Sequence, residues 1–101
     1  LSSSLQTIGV QSFEFCSSIT VLEVPSTLHT IKKEAFGSCR QLREIVPQNQ
    51  HEPLSIRNIA MWAFGNCRAL TNIPHLPFLA IIGHRAFKHC HSLTEVTLGP
   101  S

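Results

Sequence analysis

The chain has 101 residues, 43% of them hydrophobic and 14% charged, with a formal net charge of +2. That length bounds it to one domain or part of one, and the composition suits a globular rather than a disordered chain. So small a positive charge makes no electrostatic case for nucleic acid, and no apolar run approaches the ~18 residues of a membrane-spanning helix.

Taken in chain order, the sequence says nearly the same thing four times. "LQTI" at Leu5–Ile8 reads as a short extended piece, and "ITVLEV", rich in branched apolar residues, reads as a strand that ends at Pro25. "LHTI" then repeats the extended piece. "KEAFGSC" predicts a helical turn or 3-10 corner, where small Ala35 lets the backbone pack close, and "LREIV" predicts a strand ending at Pro47. The polar segment "VPQNQHEPLSI", with Pro47 and Pro53, predicts a surface loop inserted near residues 47–55. "IRNI", "MWAFGNC" and "LTNIPHL" form a third round. "LAII", "HRAFKHC" and "LTEVTL" form a fourth, and Pro77 and Pro100 mark the strand exits.

Aligned on phenylalanine, the four rounds fall into columns. Phe13, Phe36, Phe64 and Phe87 are separated by 23, 28 and 23 residues. Each is followed three positions later by Cys16, Cys39, Cys67 or Cys90, and three later again by Ile19, Leu42, Leu70 or Leu93. Ile8, Ile31, Ile59 and Ile82 stand five positions before the phenylalanines. A fixed period of about 23 falls in the range of leucine-rich solenoids, in which each unit is too small to bury its own apolar face and stacking makes one core. The expected units lie near residues 5–27, 28–50, 56–78 and 79–101. With parallel strands about 4.8 Å apart, each column becomes a ladder.

The pattern L-x-x-I-x-x-x-A-F-x-x-C-x-x-L-x-x-V, with Ala35, Ala63 and Ala86 before the phenylalanines, resembles the BspA-type leucine-rich repeat over nearly the whole chain. The first unit departs, with Ser12 for Ala and Ile19 for Leu, and the third carries the insertion. The resemblance implies an α/β leucine-rich-repeat solenoid of about four 23-residue repeats, with short parallel strands and helical or 3-10 corners. It also implies a non-catalytic protein-interaction or scaffold module without a cofactor, and it favours a cell-surface or assembly role. No polar capping repeat is visible at either end. The chain is therefore expected to be a piece of a longer array, or to have its ends covered by a partner.

The residues that could carry chemistry all fall in these columns. The four cysteines read as small buried core residues. Cysteines repeated in a stacked ladder keep their Cβ atoms near 5 Å apart, beyond the roughly 3.5–4.5 Å of a disulfide. Structural zinc wants paired ligands such as C-x₂-C, and the intervals here follow the repeat instead. His84, His89 and His91 occupy columns that otherwise hold Val, Lys, Met, Phe, Ser, Asn and Arg, a variability that marks surface columns. The alternative is a metal- or thiol-dependent site at His84, His89 and Cys90. That site would need an exposed, activated thiolate.

For partner contact, Arg40 and Arg68 make a short basic stripe with Ser17 and His91 in their column. Such a stripe suits a solvated edge or an acidic partner. On the strand face, which by resemblance is the usual binding surface, the outward columns are expected to be Val21, Glu44, Asn72, Glu95 and Glu23, Val46, Pro74, Thr97. Met61 and Trp62 break their columns. Trp62 is expected either to cover the inserted loop or to anchor a protein contact, because exposed Trp is a frequent interface anchor.

Overall fold

The computed structural model describes residues 4–93. Its strands are short and all pair in parallel. One sheet holds β1 (Thr7–Ile8), β3 (Thr30–Ile31), β5 (Asn58–Ile59) and β6 (Ile81–Ile82), in that order. The other pairs β2 (Val21–Val24) with β4 (Glu44–Pro47). Each repeat thus supplies a two-residue strand to one side, turns through the phenylalanine corner, and crosses to the other side.

The register of both sheets is the register of the sequence columns. Thr7 pairs with Thr30, Thr30 with Asn58 and Asn58 with Ile81. Val21 pairs with Glu44, which bridges to Asn72. A one-residue slip would turn every core side chain outward, so burial holds the register. The alternation is plain in β2, where Leu22 and Val24 are buried while Val21 and Glu23 face solvent. In the third repeat the strand expected in "LTNIPHL" contracts to the single bridge at Asn72. Pro74 follows closely and has no amide to give to a ladder. The strand expected in "LTEVTL", with Val96, lies outside the described residues.

Stacking builds one core. The four phenylalanine rings stack face on face, with centroid separations of 5.1, 5.3 and 5.4 Å and interplanar angles of 2–4°. The middle step spans the insertion and is no longer than its neighbours, so the extra residues leave the ladder undisturbed. Phe36 and Phe64 are fully enclosed, as are Leu28, Ile31, Leu42 and Leu70. No polar or charged residue among the described ones is buried. Val24, Leu54 and Leu76 also join this core, although they stand outside the repeating columns.

The corners are not helical. Among the described residues there is no helix, so the expected helical or 3-10 corners, and with them the α/β class, give way to an all-β repeat with hydrogen-bonded turns. The reason lies in the backbone. Each corner holds two residues in the left-handed region, two positions before and two after its phenylalanine. They are Gln11 and Phe15, Glu34 and Ser38, Trp62 and Asn66, Arg85 and His89, with φ between 56° and 63°. A left-handed residue interrupts any right-handed helix and costs a non-glycine residue about 1–2 kcal/mol.

Hydrogen bonds between repeats offset that cost. Between and including the two left-handed positions, every second amide points along the stack. Glu34, Phe36 and Ser38 donate to the carbonyls of Met61, Ala63 and Gly65 at 3.1, 2.8 and 2.7 Å. The same three-bond comb joins Gln11, Phe13 and Phe15 to Lys33, Ala35 and Gly37, and joins Trp62, Phe64 and Asn66 to His84, Ala86 and Lys88. The intervening amides close local turns, as in Ala35 to Lys32 and Gly37 to Glu34. A helix would satisfy each corner within itself. This corner satisfies it from the next repeat.

Two stability outcomes are expected in chemical denaturation. Phe64→Ala, which empties the middle of the aromatic ladder, should cost about 3–5 kcal/mol. Phe15 is 70% exposed yet left-handed. Phe15→Asn, which places a residue tolerant of that region there, should raise stability by about 0.5–1 kcal/mol.

Candidate functional site

The cysteine column is a hydrogen-bonded ladder as well as a packed one. The Cys39 thiol donates to the Phe13 carbonyl at 3.1 Å, Cys67 to Phe36 at 3.2 Å, and Cys90 to Phe64 at 3.1 Å. Each thiol therefore ties its own repeat to the one before. Cys16, in the first described repeat, meets no such carbonyl among the described residues and lies 3.7 Å from the Ser18 hydroxyl. All four are free thiols. Burial pushes the Cys39 thiol up to about 11 and the Cys67 thiol up to about 12, and it raises Cys90 too. A nucleophilic cysteine needs the opposite shift.

The histidine cluster does not converge. His84, His89 and His91 are exposed. The rings of His89 and His91 lie 5.7 Å apart and are tilted by 51°, while the Cys90 thiol between them turns inward to the Phe64 carbonyl. Among the described residues no three His, Cys, Asp or Glu side chains gather as a metal-binding group. An apolar void of about 10 Å³ lies among Ile31, Ile59, Phe64, Ile73 and Phe87 and has room for about one water molecule.

Trp62 is held within its own corner and by the next repeat. Its ring lies on Gly65, where a Cβ would collide with it, and the Arg85 guanidinium sits 5.7 Å above the ring centroid. That stack of backbone, indole and guanidinium carries a cation–π attraction of about 0.5–1 kcal/mol at an exposed site. Met61 beside it is 37% exposed. The loop is closed by its own groups and by one tie to the turn after β2: the Glu52 carboxylate accepts from the Asn49 amide and from the Ser26 hydroxyl, both at 3.2 Å, and the His51 amide donates to the Asn49 side chain at 2.9 Å. Leu54, near its end, and Ile56, just beyond it, return to the core. Sequence reasoning missed this closure, although Asn, whose side chain can bond the backbone two residues on, is a turn signal.

The remaining candidates are dispersed. Arg40 and Arg68 are both exposed in equivalent positions of neighbouring repeats. On the strand face Val21, Glu44 and Asn72 are exposed and joined by main-chain pairing. Glu95 lies outside the described residues. Near the first corner, the Glu14 carboxyl titrates above its ordinary range, from desolvation first and then from the hydrogen bond and charge of Glu34.

Thiol reactivity tests the ladder. At pH 8 in the folded chain, Cys39 and Cys67 should alkylate far more slowly than half-exposed Cys16, and all four should react alike in denaturant. A thiol whose folded pKa is raised stabilises fully below its unfolded pKa and loses that contribution as pH rises through the folded value. Stability should therefore fall progressively from about pH 9 toward pH 11–12, and the combined Cys39→Ala and Cys67→Ala variant should flatten that fall in a pH series of denaturant melts.

Comparison with curated proteins and with solved structures gives no match. A family model, described as a BspA-type leucine-rich repeat region of six copies, matches residues 47–101, which is 55 of the 101 residues. Its match spans the third and fourth phenylalanine corners, and the first two share their columns, strand register and thiol ladder. The chain belongs to the BspA-type leucine-rich repeat family.

Proposed function

We propose that this chain is a non-catalytic protein-interaction or scaffold module, built as a solenoid of 23-residue turns, within a cell-surface or assembly protein. The family's general role in protein–protein interaction supports the broad reading. The observation that carries the specific reading is how the thiols are used. The described residues with the most nucleophilic chemistry, Cys39, Cys67 and Cys90, are spent on tying repeat to repeat. Exposed side chains instead recur at fixed rung spacing on rigid faces. Such faces suit an extended partner better than a small substrate, because several weak contacts add along a surface that loses little entropy on binding.

Two faces are offered for contact: the strand face around Val21, Glu44 and Asn72, and the corner carrying Arg40, Arg68, Met61 and Trp62. No helix among the described residues is long and apolar enough to cross a membrane.

Photocrosslinking discriminates the faces. A photoreactive residue at Met61 or at Glu44 should trap a protein adduct of discrete mass in extract of the producing cells. The same residue at Gln50, on the loop tip, should not. For a contact on the corner, the combined Arg40→Ala and Arg68→Ala variant should lower the Met61 adduct by about fivefold or more while leaving the thermal midpoint within about 2 °C, as surface changes do. No adduct from either face would sink the reading.

A further inference from the structure

The solvent faces of the two sheets differ in charge. On the sheet of β2 and β4, Glu23 and Glu44 are exposed. On the four-stranded sheet, the two interior strands β3 and β5 are bordered by basic side chains instead. His29 and Arg57 stand immediately before the two strands, and Lys32 and Lys33 immediately after β3. All four are exposed. The chain's six carboxylates are Glu14, Glu23, Glu34, Glu44, Glu52 and Glu95, and none falls in the columns of this face. Glu34 and Glu52, the nearest in sequence, are engaged elsewhere. Glu34 is hydrogen-bonded to Glu14 at the corner, and Glu52 to Asn49 and Ser26 at the loop. Among the described residues no ion pair neutralises the four basic groups.

A polar strip lies between them. Thr30 and Asn58 are partners in the parallel register of β3 and β5. Each is half-buried and alternates with a buried isoleucine, so its side chain leaves the sheet on the solvent side. Among the described residues neither the Thr30 hydroxyl nor the Asn58 side-chain amide has a hydrogen-bond partner. The Arg57 amide donates to the His29 carbonyl at 2.8 Å, which sets these two side chains one rung apart on one margin. On the other margin Lys32 lies beside Gly9 and Ala60 in its column, both too small to cover it. The three residues from His29 to Lys32 separate the margins by about 10 Å of extended chain.

The chemistry of the strip selects among extended partners. Between the margins, β3 and β5 present no aromatic or large apolar side chain to solvent. A protein interface is centred on such an anchor, and single-stranded nucleic acid stacks its bases on aromatic rings. An anionic glycan needs neither. It needs donors for its acidic groups and small polar side chains for its hydroxyls.

We propose that this face binds an anionic polysaccharide, an extended chain of sugars bearing carboxylate or sulfate groups, laid along the stack. Its acidic groups meet Arg57 and His29 on one margin and Lys32 and Lys33 on the other. Its hydroxyls exchange hydrogen bonds with Thr30 and Asn58. Rungs about 4.8 Å apart offer partners to successive sugars without any movement of the main chain. The face is built by interior repeats. It is separate from the strand face of Val21, Glu44 and Asn72 and does not depend on the reading of that face as a protein contact.

Isothermal titration calorimetry of the 101-residue chain with a heparin oligosaccharide and with an oligogalacturonate tests it. At least one of the two should bind at low salt and weaken as salt rises, because exposed charges are screened, while neutral dextran should not bind. The Lys32→Ala, Arg57→Ala double variant should weaken binding by about tenfold or more. The Arg43→Ala, Lys88→Ala double variant, which removes the same charge elsewhere, should weaken it by less than about threefold. Thr30→Val keeps the shape and charge of the face but removes a hydroxyl, and it should weaken binding by about threefold or more. Thermal midpoints confirm that each variant folds. Binding of neither glycan at low salt, equal losses from the two double variants, or tighter binding of polyglutamate or single-stranded DNA than of the glycans would overturn the proposal.

Discussion

Like stacked on like at the spacing of one strand governs this molecule. A phenylalanine ring lies parallel to its own copy 5.1–5.4 Å away, and a thiol reaches the main chain of the preceding repeat. A left-handed residue lies beside other left-handed residues. None of these arrangements is good locally. A corner with two left-handed non-glycine residues is strained alone, and a two-residue strand is too short to persist alone. Each becomes favourable only when the next repeat supplies acceptors and apolar cover. Stability is therefore a property of junctions more than of repeats, as expected of a quasi-one-dimensional architecture.

That dependence explains the choice of side chains. Cysteine suits its column because it is small and apolar enough for a closed core, yet carries a weak donor that can meet a carbonyl at 3.1–3.2 Å. Alanine before the phenylalanine is buried in three repeats, where its carbonyl accepts the central bond of the comb. Gly83 meets the same demand for close approach more severely: a Cβ there would run into the backbone of Ala60 and Met61. Its amide reaches the Ile59 carbonyl at 2.6 Å.

The columns, the register and the core were legible in the sequence because each depends on side-chain type at a fixed period, and four copies repeat it. The corner conformation was not. Its left-handed positions hold Gln, Phe, Glu, Ser, Trp, Asn, Arg and His, and lack the glycine that normally announces such backbone. "KEAFGSC" has the composition of a helical turn, and only the neighbouring repeat makes a corner with two left-handed residues preferable. The support of Trp62 was hidden for a related reason. Its column marked it as unusual, but its support comes from Gly65 within the corner and Arg85 a repeat away, neither of which proximity to the loop suggests. For the candidate surfaces, exposure of Arg40, Arg68 and Glu44 was readable from their variable columns, whereas nothing in a single chain names what they touch.

The loop between the second and third repeats has a wider consequence. Five additional residues enter there, yet the strand pairing on either side keeps step and the aromatic spacing is unchanged. The cost of closing a flexible loop grows only by about 0.6 kcal/mol for each doubling of its length. Growth at this junction is thus nearly uncoupled from the stability of the stack. Here the chain can lengthen, shorten or acquire a new recognition element while the scaffold beneath keeps its form, so an architecture built on strict periodicity also contains its own place for variation.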